Sequence, residues 1–237
     1  MSMIKLNKIC MMALVLVLTL MQATNAHTPG PDYIYECTKC KNLLKKGSNA
    51  SGNSLGSTLY SDARMIAPML LEFPNFTKCQ KCNTVLWLSE MKEIGTCGER
   101  NKNCKLEWKY ADRARFLDVK DLFRFLEMDI VKNDKVKEKI VRQQIWWTFN
   151  DRVRANKEIF IDKGDEILWE QNCRRLIELF DVEDVNQKIM KAELHRNLGE
   201  FETCMELINS LDKSFDWLTD KFKEACDNRN KGLIILR

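Results

Sequence analysis

The spacing of apolar positions changes along this chain. Up to about residue 105 they come as short runs between clusters of turn formers, and from Leu106 onward they recur every three or four residues. In the first part, Thr58-Leu59-Tyr60 and Met65-Ile66-Ala67 predict two short strands, with Ser61-Asp62-Ala63-Arg64 as the hairpin turn between them. The stretch from Gly47 to Ser54 is rich in turn formers, and Pro68 and Pro74 punctuate the chain after the hairpin. Phe73 and Phe76 are expected to pack on a small core, and Thr84-Val85-Leu86-Trp87-Leu88 predicts a further strand. In the second part, Asp118 with Asp121 marks a helix start ahead of Leu122, Phe123, Phe125 and Leu126. Val136, Ile140, Ile145, Trp146, Phe149 and Val153 predict a helix from about Asp134 to Arg154. Gly164 reads as a break before a helix over Glu166 to Phe180. Three more helices are expected at about 185–197, 200–211 and 215–229, and Leu233 to Leu236 as a short strand or docking segment.

Composition adds bounds rather than a function. A chain of 237 residues, 45% hydrophobic and 30% charged, has room for one or two ordinary globular domains. The net charge of +4 is mild and the two signs are interleaved, so nothing here demands nucleic acid. Residues 1–26 have the order of a secretory signal peptide. Lys5 and Lys8 precede an apolar run from Ile9 to Met21, and Thr24 and Ala26 are small residues at the −3 and −1 places before His27. The run is too short for a comfortable membrane span, and no cysteine follows the cut to take a lipid anchor. An exported protein, periplasmic or secreted, is expected; the alternative is a misplaced start and a cytoplasmic protein.

The chemistry is concentrated in cysteine. Cys37-Thr38-Lys39-Cys40 is followed, after 38 residues, by Cys79-Gln80-Lys81-Cys82. Two C-x-x-C pairs aiming four thiolates at one point give the tetrahedral shell that Zn²⁺ prefers, and a shell closed by four protein ligands is structural. Export keeps two other chemistries open, because thiols in an oxidising compartment pair as disulfides and a C-x-x-C pair is also a redox motif. Neither Cys40-Lys41-Asn42 nor Cys82-Asn83-Thr84 opens an amphipathic helix, as a redox motif would. Of the ten cysteines Cys10 lies in the leader, and the remaining odd number cannot all be paired. Cys97 and Cys104 lie in a polar segment that joins the two regions, where they are a disulfide, an extra metal ligand or two surface thiols.

Knuckle, hairpin, knuckle and strand over about residues 33–90 resemble a zinc ribbon or rubredoxin-like knuckle fold with an enlarged loop. The glycine that often follows each knuckle's second cysteine is replaced here by Lys41 and Asn83. Ser51-Gly52-Asn53-Ser54-Leu55-Gly56, Leu59-Tyr60-Ser61-Asp62, Ala67-Pro68-Met69-Leu70 and Phe73-Pro74-Asn75 resemble a family of uncharacterised bacterial proteins with such a module ahead of a helical region. That resemblance implies architecture and no activity; members commonly look cytoplasmic, so the leader departs from the pattern. Further on, Ala192 to Cys204 resembles the central turn of a tetratricopeptide repeat, with Gly199, Phe201 and Cys204 in the glycine, aromatic and small-residue roles. Lys188 and Lys191 stand where that motif has tryptophan and leucine, and no second copy follows at its period of about 34 residues. The fold class implied is α+β: a zinc-ribbon-like β module with its connector over 27–105, and an all-α, tetratricopeptide-like region over 106–237.

No Ser-His-Asp or Cys-His arrangement is visible. His195, the only histidine of the helical region, has no nearby cysteine or acid cluster in the sequence. Trp146, Trp147 and Phe149 are expected as helical core rather than a stacking surface. Lys39, Lys41, Lys45, Lys46, Lys78 and Lys81 make the knuckles basic, but aromatic interleaving is thin there, and a solvated face is expected rather than phosphate contacts. The function expected is that of a non-enzymatic protein with one structural zinc on Cys37, Cys40, Cys79 and Cys82, and helices that hold a protein or peptide partner. The alternatives are an exported thiol–disulfide oxidoreductase or, without the leader, a cytoplasmic nucleic-acid binder.

Overall fold

The computed structural model describes residues 28–98 and 104–237; the leader expected over residues 1–26 lies outside them. The first half is built of short strands: β1 (Thr28–Pro29), β2 (Asp32–Glu36), β3 (Leu43–Lys46), β4 (Asn49–Ser51), β5 (Thr58–Leu59), β6 (Met65–Ile66), β7 (Phe76–Lys78), β8 (Val85–Trp87) and β9 (Glu93–Cys97). A two-residue β10 (Asp112–Arg113) follows a single helical turn, α1 (Leu106–Lys109). The largest sheet has the order β10-β3-β2-β9, antiparallel except for the β10–β3 pair. β1–β4, β5–β6 and β7–β8 are separate antiparallel pairs. Helical structure was expected from Leu106 onward, but beyond α1 the chain first adds this parallel edge strand.

The rest is helical: α2 (Val119–Leu126), α3 (Asp129–Lys132), α4 (Lys135–Arg154), α5 (Lys163–Leu179), α6 (Val185–Leu198), α7 (Phe201–Asn209) and α8 (Asp216–Asp227). An aspartate side chain caps the start of four of them: Asp118 on α2, Asp134 on α4, Asp162 on α5 and Asp184 on α6. Each carboxylate accepts from first-turn N–H groups that have no partner inside the helix. Gly164 does not break the helical run. It lies in the first turn of α5, where a missing side chain costs least, and the break falls earlier, over residues 155–162. Gly199, in the left-handed conformation (φ 86°), closes α6 and turns the chain into α7. Among the described residues no helix is long and apolar enough to cross a membrane.

One apolar core runs through both halves. Phe76 and Trp87, paired across β7 and β8, sit in the same cluster as Leu122, Phe125, Ile145, Trp146, Leu176 and Leu194. The rings of Phe76, Trp87 and Phe125 stand 5.2 to 5.7 Å apart, centroid to centroid. Trp146 and Phe149 are fully buried, as expected of helical core, whereas Trp147, expected there too, is only partly buried against it.

A second junction is polar. The β5–β6 turn, read from the sequence as a hairpin turn, is buried: Ser61 and Asp62 are 0% exposed. Asn150 Nδ2 and the Arg154 guanidinium donate to the Asp62 carboxylate, and Trp147 Nε1 donates to its carbonyl oxygen. The Ser61 hydroxyl donates to Glu193 (2.6 Å), itself buried against Arg196 and Asn197. Arg196 also donates to the Gly232 carbonyl (2.7 Å), which holds the C-terminal tail. That tail docks on β5: Leu236 N–H donates to the Leu59 carbonyl (2.8 Å) and Ile235 bridges to Tyr60. The loop between the two cysteine pairs is thereby anchored on α4 and α6.

Candidate metal centre

Cys37 and Cys40 lie on the turn between β2 and β3, and Cys79 and Cys82 on the turn between β7 and β8. The two turns are built alike, atom for atom. In the first, Cys37 N–H donates to the Asn42 carbonyl (2.8 Å) and Lys41 N–H to the Cys37 carbonyl (3.0 Å); in the second, Cys79 N–H donates to the Thr84 carbonyl and Asn83 N–H to the Cys79 carbonyl, both at 2.9 Å. Both turns close through a residue in the left-handed region, Lys41 at φ 64° and Asn83 at φ 58°. The knuckle positions where the sequence lacks glycine thus adopt the conformation that glycine favours. Asparagine enters that region at small cost; lysine does so against its preference.

The geometry brings all four sulfurs together, within 4.8 Å of one another. The first cysteine of each pair, Cys37 and Cys79, is fully buried, and the second, Cys40 and Cys82, is half-buried at the rim. The 3.6 Å contacts run between pairs, Cys37 to Cys82 and Cys40 to Cys79, not within a C-x-x-C motif. Four sulfurs at about 2.3 Å from one ion stand about 3.8 Å apart, so these residues lie close enough to coordinate a metal ion together. Leu44, Leu86 and partly buried Tyr35 and Met91 pack around them and limit the approach of water.

Donors aimed at the rim sulfurs complete the shell. The Thr84 hydroxyl lies 3.2 Å from Cys82 Sγ. That hydroxyl and the Thr84 N–H hold Cys82 down at about 6, where the thiolate forms readily. Cys40 receives the Asn42 N–H, which draws it down, but burial and the neighbouring Cys82, Cys79 and Cys37 outweigh this and push it up to about 12. Four thiols in one small space cannot all ionise unless a cation compensates them, and four thiolate donors are what a soft or borderline divalent ion binds.

The other cysteines are elsewhere. Cys97 and Cys104 form a disulfide, Cα to Cα 4.8 Å, which removes them as extra metal ligands. Cys173, Cys204 and Cys226 are free and buried among the helices. His195 does have an acidic partner: its Nδ1 lies 2.6 Å from the Glu200 carboxylate, across the Gly199 turn. A separation of five residues is not a helical pairing distance, so the contact is invisible before the turn is known. Of the knuckle lysines, Lys41 pairs with Glu36 (3.1 Å), Lys78 with Asp121, and Lys45 Nζ donates to the Lys109 carbonyl (2.8 Å). No family model, no curated protein and no solved structure matches this chain.

Proposed function

We propose that the chain is a non-enzymatic zinc protein, with one structural Zn²⁺ held by Cys37, Cys40, Cys79 and Cys82 in a zinc-ribbon-like module. The helices would then serve as a tetratricopeptide-like scaffold for a protein or peptide partner. The observation that carries the zinc assignment is the cross-pair contact: each sulfur meets a sulfur of the opposite knuckle at 3.6 Å. A thiol–disulfide enzyme needs its two sulfurs poised within one C-x-x-C and a reactive thiolate open to substrate. Here the first cysteine of each pair is sealed from solvent.

Bound there, zinc supplies a cross-link, and with four protein ligands it keeps no open position for water or substrate. The link would tie the β2–β3 turn to the β7–β8 turn. Because β7 and β8 carry Phe76 and Trp87 into the helical core, the zinc also holds those rings in register with Phe125. A β module this small buries little apolar surface of its own, so its order should depend on the metal.

Cys79→Ser tests this. The variant should release zinc and become sensitive to limited proteolysis over about residues 33–90, and wild type should show no disulfide-reductase activity above background. Unchanged protease resistance, or reduction of a disulfide substrate that Cys79→Ser abolishes, would replace the structural assignment with the redox one.

A further inference from the structure

The large sheet has a second face, and it is lined for a ligand. Side chains alternate along a strand. Ile34 and Gly95 face inward, where the Trp108 ring covers Gly95 so closely that a Cβ there would stand 2.2 Å from it. Tyr33 and Tyr35 therefore project from the opposite face. Their cross-strand neighbours are Lys46 beside Tyr33 on β3 and Glu93 beside Tyr35 on β9, so cation and carboxylate stand at diagonal corners of a tyrosine floor. Phe73 forms the wall: Gly47 lets its ring approach the backbone so closely that an added Cβ would lie 2.3 Å from it. Asn49 closes one end, held by its Nδ2 donating to the Leu71 carbonyl (2.8 Å). Together these residues line a groove of about 630 Å³, within the size range of small-ligand sites.

Ser48 and Asn49 at one end of this groove are held by the Pro31 and Leu71 carbonyls, whereas its cation and its two phenols are not. The Lys46 ammonium makes no ion pair or hydrogen bond among the described residues, and partial burial lowers its affinity for its proton. Neither the Tyr33 nor the Tyr35 hydroxyl has a hydrogen-bond partner among the described residues. A half-buried, uncompensated ammonium favours an anion. Two aromatic faces favour a ring with an apolar side, and free phenols with a nearby carboxylate favour a rim of hydroxyls. A sugar acid carries all three features. A nucleic-acid strand fits less well, because one cation does not neutralise a run of phosphates and Glu93 repels them from the same rim. The Cys97–Cys104 disulfide also points to an oxidising compartment.

We propose that this groove binds an acidic saccharide, its carboxylate paired with Lys46 and one sugar ring stacked on Tyr33 and Tyr35. The site adjoins the metal centre through Tyr35, which also packs against the cysteine cluster, and it does not require the helical scaffold to have a partner.

Calorimetric titration of the full chain with trigalacturonate, galactotriose and a short oligothymidylate tests it. The acid trimer should bind at least about tenfold tighter than the neutral one, the scale of one charge-assisted hydrogen bond. Lys46→Met should erase that preference, Lys46→Arg should keep most of it, and Tyr33→Ala should weaken both sugars at least about fivefold, the scale of one lost ring contact. Absence of sugar binding, equal affinity for acid and neutral trimers, or a preference that survives in Lys46→Met would overturn the proposal. Oligothymidylate binding more tightly than trigalacturonate would overturn it in favour of nucleic acid.

Discussion

Lys41 and Asn83 hold the two knuckles in the left-handed conformation with no glycine present. A β-carbon there costs about 1–2 kcal/mol in crowding, while glycine loses about 0.5–1 kcal/mol more chain entropy on folding. Lys41→Gly should therefore stabilise the protein by about 0.5–1 kcal/mol, seen as a higher urea midpoint at unchanged slope. The lost Lys41–Glu36 pair subtracts little, because both side chains are well exposed. Asn83→Gly should gain less, since asparagine tolerates this region. The ligand spacing of the four cysteines was legible in the sequence because each pair is local and the pattern repeats. The burial of Ser61 and Asp62 was not. Their partners, Glu193 and Asn150, lie 132 and 88 residues away, and a Ser-Asp-Ala-Arg turn carries no mark of a fold that closes over it.

At the scale of elements, the helices were readable from their apolar period, with an aspartate start read only at Asp118. Two-residue β10 carries neither; it exists because β3 offers a free edge. The packing of α4 on α5 is reinforced by Glu138, which accepts from Arg142 on its own helix (2.8 Å) and from Arg175 on α5 (2.9 and 3.0 Å). Arg175, then Arg142, hold the Glu138 carboxyl down from 4.5 to about 2, against the cost of its burial. A folded-state value below the unfolded one means the carboxylate's contribution is complete at neutral pH and is lost as pH falls from about 4.5 toward 2. Glu138→Gln should accordingly lower stability by about 1–3 kcal/mol at pH 7. The gap to wild type should close as pH falls through that window. A gap that stays constant to pH 2 would mean that the amide disturbs packing rather than charge.

At the scale of the whole molecule, the cysteine module and the helices are linked twice, through the Phe76–Trp87–Phe125 cluster and through the buried Ser61–Asp62 turn. An order of β module and then helices was visible in the spacing of apolar residues; the shared core was not, because side chains from strands and helices look equally apolar in a sequence. Through this linkage a metal held by the four cysteines would have a long reach. Stripping it with a chelator should lower the thermal midpoint of the whole chain and shift tryptophan emission to the red, since Trp87 is 7% exposed in the folded protein. The most direct measurement is the native intact mass and metal content of protein purified without reducing agent or added metal. One zinc per chain is expected, with Cys37, Cys40, Cys79 and Cys82 reduced beneath it and Cys97–Cys104 oxidised. A chain without metal, lighter by the hydrogens of two further disulfides among those four cysteines, would contradict the account.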